Sequence, residues 1–191
     1  MLHDKYQEIM KEFIKGYDKT IYGRELIGKV SLSQKNIALT LIELEKKGVL
    51  KSIERGNRRY YSINFLNPII NEWILSFENL RKIEFLTKNK KLIDLFKKMK
   101  GEIVCVFGSY SKEMNRKDSD LDLFVVGNVD SLEVKKMGEE SGIDIQLFNV
   151  SSKDFLKLTK EKSELFKEIL NNHVLINGEK TFVTEVIKWM N

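Results

Sequence analysis

Apolar side chains recur along the chain at intervals that divide it into elements before any chemistry is considered. Over residues 5–14, Tyr6, Ile9, Met10 and Phe13 fall at helical spacing with charges between them, which predicts an amphipathic helix. A break at Gly16-Tyr17-Asp18-Lys19 precedes a short helix over 24–28 that ends at Gly28, and then a tight turn over 30–33. Ser33 has the small oxygen-bearing side chain that caps a helix start. The helix it opens carries Ile37, Leu41 and Leu44 on one face and stops at Lys46-Lys47-Gly48, basic residues followed by glycine. Residues 49–54 and 58–63 read as strands around an Arg55-Gly56-Asn57 turn, so a β-hairpin closes this stretch.

Beyond the hairpin, Asn67 is placed to cap a helix whose first position is Pro68, the one proline of the chain. Ile69, Ile70, Trp73, Ile74, Phe77, Leu80, Ile83 and Leu86 then form an apolar stripe longer than a small module can bury. The stripe either packs on the segment that follows or forms the seam of a homodimer, and the dimer is the preferred expectation. After a polar break at 88–91, Leu92, Ile93, Leu95, Phe96 and Met99 open a new amphipathic helix. Strands are expected at 103–107, 118–126 and 143–148, with a helical stretch starting at Gly108-Ser109. Ser151 or Ser152 should cap one helix bearing Phe155, Leu156, Leu158, Leu165, Phe166, Ile169 and Leu170. A short strand at 174–176, an Asn177-Gly178 turn and a last helix ending near Trp189 complete the chain.

Composition narrows the class. With 42% hydrophobic and 32% charged residues among 191, the chain is neither disordered nor membrane-spanning, since a span needs ~20 apolar residues in a row. The opening Met1-Leu2-His3-Asp4-Lys5 is mixed and polar rather than a leader. Cys105 is the only cysteine, which excludes an intramolecular disulfide and a cysteine-clustered zinc site. A cytoplasmic protein is expected. The net charge of +5 is unevenly held: residues 1–66 carry 13 basic and 8 acidic side chains, whereas residues 67–191 carry 20 of each. A one-sided excess suggests contact with a polyanion, against the plainer reading of a solvated lysine-rich surface.

The string Ser31-Leu32-Ser33-Gln34-Lys35-Asn36-Ile37, with the Leu-Glu-Lys-Lys-Gly end of its helix and the Arg58-Arg59-Tyr60-Tyr61 strand, resembles winged-helix transcription regulators of the ArsR type over residues 1–66. The resemblance implies a winged helix-turn-helix and double-stranded DNA as partner. In that layout Ser33, Gln34, Lys35, Asn36 and Thr40 meet base edges in the major groove, and Arg55, Arg58 and Arg59 of the wing meet phosphates or the minor groove. Such modules also serve for protein docking.

The remaining chemistry is carboxylate chemistry. Side chains alternate across a strand, so Asp120 and Asp122 project from one face roughly 7 Å apart. Like charges so placed are costly without a cation, and oxygen-only ligands favour Mg²⁺ or Mn²⁺. Asp144 interrupts the apolar run of the third strand.

Gly108-Ser109, followed after nine residues by Ser119-Asp120-Leu121-Asp122, with Asp144 on a later strand, resembles the DNA polymerase β-like nucleotidyltransferases, and among them the minimal prokaryotic ones. The resemblance covers residues 90–191 and implies an α+β chain: winged helix at 1–66, linker helix at 67–89, and a small mixed sheet flanked by helices at 90–191. It implies transfer of a nucleoside monophosphate from a nucleoside triphosphate, ATP first among candidates, to a hydroxyl acceptor. Gly108, Ser109 and Ser119 would bind the triphosphate, and Asp120, Asp122 and Asp144 would hold two Mg²⁺ or Mn²⁺ ions. Minimal members lie beside HEPN-type toxins, which implies such a toxin as a partner and an antitoxin-like repressor as an alternative role. Glu113 departs from the family, which usually has glycine there, so a regulator with a degenerate or nucleotide-sensing domain is the other alternative. His173 is expected to cap a helix end, and Cys105 to be a buried strand residue.

Overall fold

Helix α1 (Asp4–Ile14) buries Tyr6, Ile9, Met10, Phe13 and Ile14, the stripe that its spacing predicts. The computed structural model describes residues 4–116, 119–161 and 163–190. It divides into two units, the first reaching Phe77 and the second spanning Glu78–Trp189. In the first unit, strand β1 (Ile21–Tyr22) leads into a 3-10 turn at Gly23–Leu26 and then into α2 (Gln34–Lys46). The expected short helix at 24–28 is thus a single tighter turn, and β1 itself is too short to leave a periodic signal. Ser33 Oγ accepts the Asn36 N–H at 3.3 Å, satisfying an otherwise orphan donor of α2. Strands β2 (Leu50–Arg55) and β3 (Arg58–Ile63) form the hairpin, and β1 joins β3 to give an antiparallel sheet of order β1-β3-β2. Helix, turn, second helix and hairpin therefore follow in the expected order.

Helix α3 (Ile70–Lys88) starts where Asn67 Oδ1 accepts the Ile69 N–H at 3.0 Å. Its buried positions are Ile70, Ile74, Phe77, Glu78, Arg81 and Phe85. They keep helical spacing, but they correct the expected stripe. Ile69 and Ile83 are exposed, and Glu78 and Arg81 take the inward positions instead. Glu78 tolerates this because His173, also fully buried, places Nε2 3.3 Å from its Oε1. The other ring nitrogen of His173 lies 3.3 Å from the Leu170 carbonyl. The helix-end contact expected of this histidine is therefore joined by a buried partner. Burying such a pair is costly, and removing one member costs more.

The second unit continues with a 3-10 turn at Lys90–Leu92, α4 (Ile93–Lys98), β4 (Ile103–Val106), α5 (Gly108–Ser111), β5 (Leu121–Val126), α6 (Ser131–Ser141) and β6 (Ile145–Val150). Helices α7 (Ser152–Glu161) and α8 (Glu164–Asn171), strand β7 (Val174–Asn177) and helix α9 (Glu179–Met190) follow. The strands pair in the order β6-β5-β4-β7, with β5 and β6 parallel and the other pairs antiparallel. A mixed sheet of this kind needs a crossover between its parallel strands, and α6 is that crossover.

One face of the sheet presents Val104, Val106, Leu121, Leu123 and Val125 to Leu92, Leu95 and Phe85. Cys105 and Phe124 alternate onto the other face, where Phe155, Phe166 and Phe182 pack ring to ring with centroids 6.0–6.3 Å apart. Burial pushes the Cys105 thiol far up, so it is an inert core residue. The single helix expected over 151–170 is two helices. Ser151 Oγ accepts the Asp154 N–H, and Ser163 Oγ accepts the Phe166 N–H, at 3.1 and 3.2 Å. No helix among the described residues is long and apolar enough to cross a membrane.

Candidate active site

The end of β5 nearest its start gathers most of the polar residues singled out in the second unit. Asp118 lies outside the described residues, so the strand that was expected from 118 is described from Leu121, with Asp120 just ahead of it. The parallel neighbour likewise begins at Ile145, one residue after Asp144. The Leu121 N–H donates to the Asp144 carbonyl at 2.8 Å, which puts Asp144 beside Asp120 across the ladder. Both aspartates are exposed, and both line one cavity of about 550 Å³ between β6 and α6.

Asp122 is in a different environment. Its carboxylate lies against Gly108, at φ +65°, where a Cβ would overlap the carboxylate oxygen. Glycine is required there for both the backbone angle and the space. The Ser109 backbone N–H donates to the same carboxylate, and the Phe107 N–H donates to the Asp122 carbonyl at 3.1 Å. Burial and, after it, the Asp120 and Glu168 charges hold the Asp122 carboxyl above its ordinary range, with the Ser109 N–H and Lys112 opposing them. Gly108, Ser109, Asp120, Asp122 and Asp144 therefore share one end of the sheet. Ser119, just ahead of Asp120, is tied to the segment before it: its Oγ accepts the Arg116 N–H at 2.7 Å, and its own N–H returns to the Arg116 carbonyl.

The turn carrying Gly108 and Ser109 is anchored at several points. Tyr110 is buried in the sheet core, and Ser111 Oγ donates to the Gly108 and Asn172 carbonyls, each at 3.0 Å. Glu113, where the sequence departs from the pattern it resembles, has φ +58°, the only positive φ outside glycine among the described residues. Its N–H bonds the Tyr110 carbonyl, and the Met114 N–H bonds the Ser109 carbonyl. These two bonds are the Schellman closure of a helix end, with Glu113 in the left-handed position. The same paired bonds close α2 at Gly48 and α6 at Gly142. The glutamate adopts the glycine's conformation instead of distorting the turn, and its exposed carboxylate pairs with Lys88 at 2.8 Å.

No group of three or more His, Cys, Asp or Glu side chains that could hold a metal ion occurs among the described residues. The chemistry of the donor set still fits a hard divalent cation. Asp120 and Asp122 are two oxygen-donor anions that repel each other, one of them partly desolvated. Asp144 faces the cavity that Asp120 also lines.

In the first unit, Ser33, Gln34, Lys35 and Asn36 are exposed at the first turn of α2. Thr40 is corrected: it is fully buried, with its hydroxyl among the buried groups that lack a hydrogen bond, so it meets no base edge. It lies one turn after Ile37 on the buried face of α2, a placement that the apolar spacing alone did not reveal. Arg55 and Arg58 are opposite each other at the hairpin tip and lie over Tyr60 and Tyr22. Arg59 is held inside the unit, by Glu45 at 2.9 Å and by Ser52 at 2.8 Å.

Residues 90–181 match the family model described as Polymerase beta, Nucleotidyltransferase. That stretch, a little under half of the chain, is similar to that family. No curated protein matches the chain. Among solved structures, the chain is similar to TrmBL2, described as an archaeal chromatin protein with a novel mode of DNA binding. The two are 17% identical over 83% of this chain and 75% of that one, at a TM-score of 0.26, too low for anything to be carried from one to the other.

Two expectations follow. A carboxyl held above its ordinary range favours the folded state fully below the ordinary range, and that stabilisation is lost as pH rises through the raised value. Asp122→Asn should therefore raise the unfolding midpoint at pH 7 and have little effect at pH 3, as measured by thermal melts across pH. Glu113→Gly removes a left-handed cost of about 1–2 kcal/mol and an exposed ion pair worth about 0–1 kcal/mol. It should stabilise the protein by about 1 kcal/mol in urea unfolding.

Proposed function

We propose that the second unit transfers a nucleoside monophosphate from a nucleoside triphosphate to a hydroxyl acceptor, and that the first unit binds double-stranded DNA. The observation that carries the first reading is the packing of the Asp122 carboxylate on Gly108, with Asp120 and Asp144 adjacent across the β5–β6 ladder. Asp120 and Asp122 would hold the divalent cation that accompanies the triphosphate, Mg²⁺ or Mn²⁺, and Asp144 would join them at a second. When bound, such a cation pair stabilises the entering and leaving oxygens of an in-line displacement. The Gly108-Ser109 turn contributes backbone N–H groups and a hydroxyl suited to the triphosphate, and Ser119 keeps the segment before β5 in place. Asp144, exposed in the cavity, accepts the proton of the attacking hydroxyl. ATP is the first triphosphate to try.

The DNA reading rests on two exposed groups in the unit that carries the charge excess. One is the first turn of α2, with Ser33, Gln34, Lys35 and Asn36. The other is the hairpin tip, with Arg55 and Arg58. Arg59, already held by Glu45 and Ser52, would contribute less than Arg58. A cytoplasmic location, a homodimer and a HEPN-type toxin partner are compatible with this reading and are carried with it as proposals.

Incubation with each α-labelled triphosphate and Mn²⁺, followed by mass spectrometry of the protein and any co-purified partner, should find a nucleoside monophosphate adduct. Asp120→Asn should lower its formation by about 10²–10³-fold. Retained duplex binding with no adduct and no triphosphate binding would instead favour a regulator with a degenerate domain. Lys35→Glu combined with Arg58→Glu should abolish duplex binding in a gel shift, and Arg59→Ala should weaken it less than Arg58→Ala.

A further inference from the structure

A further cavity, of about 180 Å³, lies in the first unit, where α2 packs beside β1 and β3. Its apolar walls come from Ile37, Ala38 and Leu41 of α2 and from Tyr22 and Tyr61 of the two strands. Ile37, Ala38 and Leu41 fall at helical spacing on one face of α2. Ala38 is the short side chain among them, so the hollow opens there. None of these five side chains belongs to the carboxylate site or to the groups assigned to DNA.

Two polar groups at this cavity have no partner within the protein. The Tyr61 side chain lines it and is only 6% exposed, yet its hydroxyl makes no hydrogen bond among the described residues. Burial holds that hydroxyl above its ordinary range, with Arg59 opposing, so at neutral pH it is a donor without an acceptor. Such a donor is costly when largely buried, and a ligand oxygen removes that cost. Arg24 also lines the cavity and is exposed, and its guanidinium makes no ion pair or hydrogen bond among the described residues. The other arginine of the lining, Arg59, is already neutralised by Glu45 at 2.9 Å.

An apolar cavity of about 150 Å³ takes one benzene ring, so this one has room for a single ring or a branched chain of similar size. One free cation and one hydroxyl donor match the two oxygens of a carboxylate, which a guanidinium bonds strongly. A phosphate alone would bring no apolar body to fill the walls.

We propose that this pocket binds a small organic carboxylate with a single-ring or branched apolar body, and that the bound acid displaces duplex DNA from the first unit. The second half rests on the DNA reading. Gln34, assigned there to a base edge, lies one turn ahead of Ile37 and Ala38 and also lines the cavity. A carboxylate on Arg24 therefore sets a ligand against the base-reading turn of α2. It also cancels a positive charge beside that turn, which weakens attraction for phosphate.

The test uses the full chain, with benzoate, phenylacetate and isovalerate as probes and benzamide as the uncharged match of benzoate. Amide NMR cross-peaks of Arg24, Ile37, Ala38 and Tyr61 should shift and saturate with at least one acid, at a Kd below about 1 mM. Benzamide should bind at least about tenfold more weakly. Arg24→Gln should weaken the acid about tenfold and Tyr61→Phe about threefold, and Ala38→Phe, which fills the hollow, should abolish binding. Arg24 and Ala38 are exposed, so neither change disturbs the core, and Tyr61→Phe keeps the ring. Absence of saturable shifts with all three acids overturns the site. So does equal binding of benzamide, unchanged binding in Arg24→Gln, or the same shifts from inorganic phosphate or ATP. In a gel shift, the acid at about ten times its Kd should weaken duplex binding about tenfold by mass action, and benzamide at the same concentration should not. Duplex binding unchanged with the acid bound overturns the displacement. If duplex binding is absent without any acid, the DNA reading fails and the displacement falls with it, while the cross-peak shifts still decide the site.

Discussion

Carboxylate crowding at the start of β5 constrains everything around it. Two neighbouring aspartates, Asp120 just ahead of β5 and the partly buried Asp122 within it, raise the folded-state free energy in proportion to their mutual repulsion. The structure meets part of that cost with the Ser109 N–H and the nearby Lys112 charge. It leaves the rest, since the Asp122 carboxyl is still displaced upward. Gly108 has no side chain because that carboxylate occupies the place of one. Tyr110 and Ser111 fix the turn from the core side, so the carboxylate cannot relax by pushing the turn away. A site that stays destabilised when a simple substitution would relieve it is characteristic of function retained against stability.

Much of this was readable from residue order. The Ser33 cap, the hairpin, the buried strand ending at Gly108-Ser109 and the Asp120/Asp122 alternation depend on local periodicity and on residues with narrow conformational uses. Other features depend on partners distant in sequence. Thr40 and Arg81 are polar by type and buried by position, and Glu78 is buried because His173, 95 residues away by their numbering, meets it. The parallel pairing of β5 and β6 leaves no mark on either strand alone. It follows from α6 lying between them, since a helical crossover reverses the chain an even number of times.

The division at α7 and α8 shows the limit of periodicity in another way. Phe155, Phe166 and the residues between them fit one continuous amphipathic helix, and the apolar face does continue across the break in the sense that both rings enter the same aromatic cluster. Ser163 is what distinguishes two helices from one, through a single 3.2 Å hydrogen bond to the Phe166 N–H. A serine in a polar stretch gives no sign beforehand of whether it will cap or simply face water.

Glu113 has a consequence for how chains of this kind are recognised. The Schellman end of α5 preserves the backbone path that glycine normally supplies, while the letter at that position is different. A search by strict residue pattern would discard this chain at Glu113, although the hydrogen bonds that the pattern stands for are both present. A glycine-like conformation is held here by a glutamate, and the Lys88 contact gives its side chain somewhere to rest outside the turn.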